Sequence, residues 1–188
     1  MSSSAAPTAF ARDVLRRFGR NHKASAVVEF ALVAPVFFAL LFAILETALM
    51  FFAGQVLETI TEASARQIQT GQAQLANYPD SAHFRSAVVC PLIPAIFNCN
   101  NIYINVQSNA AASGVNFINP INSGNFVTSG LAYNPGGSCD VVVVQLFYQW
   151  QLFVTGLGYN ISNLNGNQYL LSATAAFRNE PYSGACAT

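Results

Sequence analysis

The sequence predicts an α+β fold: a long N-terminal transmembrane helix that extends past the membrane and packs on a small antiparallel β-sheet head. Three observations carry this expectation. Residues 30–45 are sixteen consecutive positions without a charged or polar side chain. Helical spacing then continues to Leu75. Beyond it, two segments alternate as half-buried strands do, Ile102, Ile104 and Val106 with Tyr103 and Asn105, and Val142, Val144, Leu146, Tyr148 and Trp150 with Gln145, Gln149 and Gln151.

Composition points the same way. Charged residues make up 9% of the 188 and hydrophobic ones 53%, against roughly 25% charged in an ordinary soluble protein. That excludes disorder as the whole description and disfavours a free cytosolic enzyme, which needs charge for solubility. The net charge of zero hides an asymmetry. Arg12, Arg16, Arg17, Arg20 and Lys23 precede the apolar run against a single acid, Asp13, whereas after Ala53 three arginines face five acids. No basic patch in the later part matches the first, so nucleic acid is not the expected partner.

Taken in order, residues 1–24 form a basic leader, and 1–11 within it are Ser/Ala-rich. The span is expected over 25–53. At about 1.5 Å per residue its uninterrupted core covers about 24 Å and the full apolar stretch, 26–53, about 42 Å, bracketing a hydrocarbon layer of about 30 Å. The positive-inside rule keeps the leader in the cytoplasm and exports the C-terminal region. A cleavable secretory signal fits less well, because the only good small-x-small candidate after its apolar core, Ala63-Ser64-Ala65, lies far beyond that core and behind Glu58 and Glu62.

Over residues 54–76 the helix is expected to continue, with Leu49, Phe52, Val56, Ile60, Ala63, Ile68 and Leu75 as its inward stripe and Glu58, Glu62 and Arg66 as an i, i+4 ladder outside. Tyr78-Pro79-Asp80 should end it. The head then occupies residues 77–188, with a third strand across 169–177 and an irregular Asn/Gly/Ser-rich loop over 108–137. Cys90, Cys99, Cys139 and Cys186 all follow the span, which reads as two disulfides in an oxidising compartment. Cys90 and Cys99 flank prolines in one turn-rich stretch, so they are paired together, leaving Cys139 for Cys186. With no C-x-x-C and no histidine at ligand spacing, a metal site is not expected.

Catalytic motifs are absent from the sequence: it has no G-x-S-x-G, no H-E-x-x-H and no phosphate-cradling glycine loop. Asp80 beside His83 reads as a solvated loop at a helix end rather than an acid/base pair. Asn160-Ile161-Ser162 reads as a polar turn more than a glycosylation site. No cofactor and no small-molecule substrate are expected. Two acids remain. Glu29 lies in an apolar helix, where a carboxylate costs about 2.5 kcal/mol or more at the centre, so a functional reason is sought for it. Glu46 is ambiguous, since with Glu29 at the inner boundary it falls near the outer one. Pro35 opens one backbone hydrogen bond.

The residues Arg16-Arg17-Phe18, Asn21-His22-Lys23-Ala24-Ser25-Ala26-Val27-Val28-Glu29-Phe30-Ala31-Leu32 and Pro35 resemble the N-terminal signature of TadE/TadG-like proteins of the tight-adherence (Tad, Flp-type) pilus. The closing segment 173–182 is similar to theirs as well. The resemblance implies a type IV pilin-like precursor in the bacterial inner membrane, cut by a prepilin peptidase between Ala24 and Ser25. Removing 24 of the 188 residues leaves 164, with Glu29 fifth. It implies a minor pseudopilin, itself no enzyme, that helps initiate or support pilus assembly alongside the major pilin and other minor pseudopilins. Glu29 would pair with the Ser25 α-amine of a neighbouring subunit. The family usually has glycine where Ala24 stands, and the alternative is an uncleaved, TadG-like anchor whose periplasmic head binds or adheres through the Asn-rich loop.

Overall fold

The computed structural model describes residues 22–154, 159–182, 184 and 186, with backbone alone for 22–25. The chain forms two compact units, Met1–Leu45 and Glu46–Thr188. Helix α1 (His22–Gln69) runs through Pro35 without a break. In the first unit the described side chains, Glu29 excepted, are apolar on every side of the helix, and nearly all are exposed. A helix apolar all round has no face to turn toward water, and this one is long and apolar enough to cross a membrane.

In the second unit α1 becomes one-sided. Met50, Ala53, Leu57, Ile60, Thr61, Ser64, Ala65 and Ile68 are buried at helical spacing, while Gln55, Glu58, Thr59, Glu62 and Arg66 are exposed. The buried hydroxyls cost little, because Thr61 donates to the Leu57 carbonyl at 2.7 Å and Ser64 to that of Ile60 at 2.8 Å. This stripe is rotated from the expected one. Ile60 and Ile68 are inside as anticipated, but Leu49, Phe52 and Leu75 are exposed. Around residues 49–52 every position is apolar, so spacing alone could not select the face that the sheet covers.

The helix also ends earlier than expected, at Gln69 rather than at Tyr78-Pro79-Asp80. Gly71 takes φ 78°, and its N–H donates to the Ile68 carbonyl at 3.0 Å, a left-handed C-terminal stop. A Cβ there would also overlap the Tyr182 ring. The chain makes one further turn, Gln72–Leu75, before Asn77 at φ 52°.

The principal sheet is antiparallel, built from β1 (Ile102–Asn109), β4 (Val141–Gln151) and β5 (Gln168–Arg178) with β4 in the middle. Ile104 lies opposite Leu146, and Leu146 opposite Ala173. One face, with Ile102, Ile104, Val106, Val142, Val144, Leu146, Leu171 and Ala173, forms a single core with the α1 stripe. The other face is covered too: Phe147, Leu164 and Leu170 cluster with Tyr103, Ile121, Phe126 and Leu131. A strand covered on both faces need not alternate, which is why Val142, Val143 and Val144 are all buried.

The 108–137 connection supplies part of that cover and is more ordered than an irregular loop. It holds a hairpin of β2 (Ile121–Asn122) and β3 (Asn125–Phe126), turned at Ser123-Gly124 with φ 49° and 75°. Phe126 packs edge-on to Tyr103 with ring centroids 4.7 Å apart. Two buried amides fasten the rest. Asn105 donates to Gln145 Oε1 at 3.0 Å, the Ile118 N–H donates to the same oxygen at 3.0 Å, and the Ala132 N–H donates to Asn105 Oδ1 at 2.9 Å. Tyr133 then bridges Val106, extending the sheet past β1.

The disulfides join Cys90 to Cys99 and Cys139 to Cys186, each with Cα atoms 5.5 Å apart, a normal span. The longer one closes a separation of 47 residues and returns the C-terminal segment to the start of β4. Replacing Cys139 and Cys186 together by alanine should lower the unfolding free energy by about 4 kcal/mol on the loop-entropy account. Equilibrium denaturation of the double variant beside the unaltered protein checks this.

Candidate functional site

The acids on α1, and the residues that precede the first of them, are where the sequence concentrates its unexplained chemistry. Ala24 and Ser25 lie within the helical backbone of α1, and their side chains fall outside the described residues. Glu29 is exposed and has no hydrogen bond or ion pair among the described residues. Two to four turns further along the helix, Phe38 is edge-on to Phe37 at 5.5 Å and stacked on Phe42 at 6.4 Å. Within one chain, nothing described answers the Glu29 carboxylate.

Glu46 has the opposite fate. It is 6% exposed, and both of its oxygens are taken. The Phe153 N–H donates to Oε1, and the Val154 N–H donates to Oε2 at 2.9 Å. One residue on, the Thr47 hydroxyl is hydrogen-bonded to that of Tyr159. The first turn of α1 in the second unit thus latches the connection between β4 and β5. Two backbone donors on one carboxylate explain how an acid can be tolerated next to an apolar run, because the charge is satisfied and the two N–H groups are not left orphaned. The sequence signal was an acid at a helix position with apolar neighbours on both sides. Its partners, more than a hundred residues away, were not legible.

The remaining candidates resolve into local structure. Asp80 caps the turn Ser81–Phe84, accepting from the Ala82 and His83 N–H groups at 2.9 Å each and contacting His83 Nδ1 at 2.9 Å. The His83 N–H, followed by its ring, holds the Asp80 carboxyl below the usual carboxylate range. Its capping contribution is therefore present at neutral pH and lost as the pH falls through that lowered value. Asn160 Oδ1 accepts from the Ser162 N–H at 2.9 Å, the polar turn expected there. A shallow groove of about 560 Å³ along the exposed side of α1 is lined by Thr59, Glu62, Ala63, Arg66, Gln67, Thr70 and Gln72, with neither histidine nor cysteine in it.

Glu46→Ala would leave two backbone donors without acceptors, at about 1–3 kcal/mol each where they stay buried. Amide exchange at Phe153 and Val154 should accelerate in that variant while exchange in β4 is unchanged. Glu46→Gln, which keeps one acceptor, should fall between.

Residues 24–66 match the family model described as TadE-like protein. No curated protein and no solved structure matches the chain. The matched segment begins at the residue before Ser25, contains Glu29, Pro35 and Glu46, and ends within the last turn of α1. An α+β chain thus carries, on its one described span-length helix, a segment similar to TadE-like proteins.

Proposed function

We propose that the protein is a minor pseudopilin that helps initiate or support assembly of a Tad-type pilus, anchored in the inner membrane by α1 with its leader in the cytoplasm and residues 77–188 in the periplasm. The observation that carries this reading is the contrast between two acids on one helix. Glu46 is satisfied within the chain, whereas Glu29, four residues beyond Ser25 in the TadE-like segment, has no described partner. A carboxylate in lipid calls for a cation, and a freed Ser25 α-amine on a neighbouring subunit is one of suitable charge and depth. The basic leader supports the orientation, and the two disulfides suit an oxidising compartment. Its partners on this reading are the prepilin peptidase, the major pilin and other minor pseudopilins. Ala24, where the family usually has glycine, favours a second reading: an uncleaved anchor whose head binds or adheres.

Intact mass separates the two. Protein made with a prepilin peptidase should lack residues 1–24, and protein made without it should retain them. A full-length mass in both cells would establish the anchor. For pairing, Glu29→Val should insert, fold and be processed normally yet fail to assemble, since a desolvated amine left without its partner costs about 3–5 kcal/mol. Glu29→Asp, one methylene short, should be intermediate. Pilus number at equal membrane level is the readout, and a normal number with Glu29→Val refutes the pairing.

A further inference from the structure

We infer that Phe153 and Val154, just past the end of β4, make a second membrane contact, in the bilayer interface beside α1. The inference rests on α1 being a membrane span and is independent of any role in a pilus.

Depth is the first argument. Past Glu46, α1 still exposes Leu49 at 58%, Phe51 at 67% and Phe52 at 57%, and its first exposed polar side chain is Gln55. A helix that runs out of lipid shows polar side chains where water begins, so the watery boundary lies near Gln55. Glu46 is nine residues earlier, about 13 Å along the axis on the lipid side of it. Glu46 and Thr47 are the residues to which Phe153, Val154 and Tyr159 are bonded. Phe153, Val154 and Tyr159 are thereby held at a level where the helix beside them is still apolar.

Chemistry is the second argument. Residues 152–159 carry no charge in sequence. Phe153 is 84% exposed and next to the fully packed Leu152, so its ring is turned away from the core and not merely at its margin. Irregular backbone at lipid depth must have its polar groups answered by the protein. The Glu46 carboxylate does this for two consecutive N–H groups. An exposed phenylalanine with an aromatic hydroxyl residue, Tyr159, nearby in sequence suits the boundary between acyl chains and headgroups, where amphipathic aromatic residues collect. A soluble face would need neither a buried carboxylate under the loop nor an apolar ring on it.

The test is depth-dependent fluorescence of the full-length protein in vesicles of phosphatidylethanolamine and phosphatidylglycerol, in a Trp150→Phe background that removes the chain's one tryptophan. Phe153→Trp should show blue-shifted emission, lose most of it when the lipids are brominated high on the acyl chain, and be protected from aqueous iodide. Phe37→Trp, within the span, should be quenched by bromines placed deeper. Phe117→Trp, an exposed position in the 108–137 connection, should be quenched by iodide alone. If Phe37→Trp is quenched by bromolipid and Phe153→Trp is not, the second contact is overturned while the span stands. If Phe153→Trp is shielded from both quenchers, protein covers the ring, and the lipid assignment is overturned as well. If neither Phe37→Trp nor Phe153→Trp responds to bromolipid, span and contact fall together. Adding Glu46→Ala to Phe153→Trp should reduce the bromolipid quenching, because the loop is no longer held at that level.

Discussion

The packing of one helical stripe against one face of a three-stranded sheet is the interaction on which the second unit depends. Met50, Leu57, Ile60 and Ile68 of α1 meet Ile104, Val106, Val144 and Leu146 in one core. Small residues at Ala53, Ser64 and Ala65 lie in the same stripe. The features at both ends of this contact keep it in place. At its start, Glu46 latches the β4–β5 connection. At its end, Gly71 stops the helix, and the Glu180 N–H donates to the Gln69 carbonyl at 2.8 Å, so the chain's last segment caps the helix that began it. The Cys139–Cys186 bridge then prevents that segment from fraying.

The second layer is held on a different principle. The connection over 108–137 has few large apolar residues to bury, yet it covers half of the sheet. Its order comes from answering backbone groups: the buried amides of Asn105 and Gln145 take the N–H groups of Ala132 and Ile118, and Gln145 returns a bond to the Ile118 carbonyl at 3.3 Å. A buried amide pair of this kind is stabilising only when its donors and acceptors are nearly all used. Here it substitutes for apolar area, and a handful of aromatic contacts such as Phe126 on Tyr103 complete the layer.

Placing two acids on one apolar helix links fold to function. A carboxylate in such surroundings is stable only with partners. Glu46 finds them in its own chain, which makes it a structural latch. Glu29 does not find them among the described residues, which is what directs attention to a second molecule. The same helix therefore carries one acid that closes the fold and one with no partner among the described residues.

Much of the architecture was legible because it follows from period and run length. The apolar run from 30 to 45, its helical continuation and the three principal strands are each encoded by neighbouring residues, and the observed strands extend the expected ones by a few residues at most. The TadE-like segment was legible for the same reason, as a contiguous pattern around Glu29. The rotation of the buried stripe was not legible, since a helix with apolar residues at every position from 48 to 53 has no preferred face until the sheet chooses one. Nor was the early stop at Gln69, because Gly71 is required there by the approach of Tyr182 from the far end of the chain. The double cover of β4 and the latch on Glu46 belong with these. Local sequence determined which segments are helix and strand and which helix is long and apolar enough to cross a membrane, because those depend on period and length. Tertiary structure alone decided which faces they bury and which polar groups meet, because that depends on residues brought together from more than a hundred positions apart.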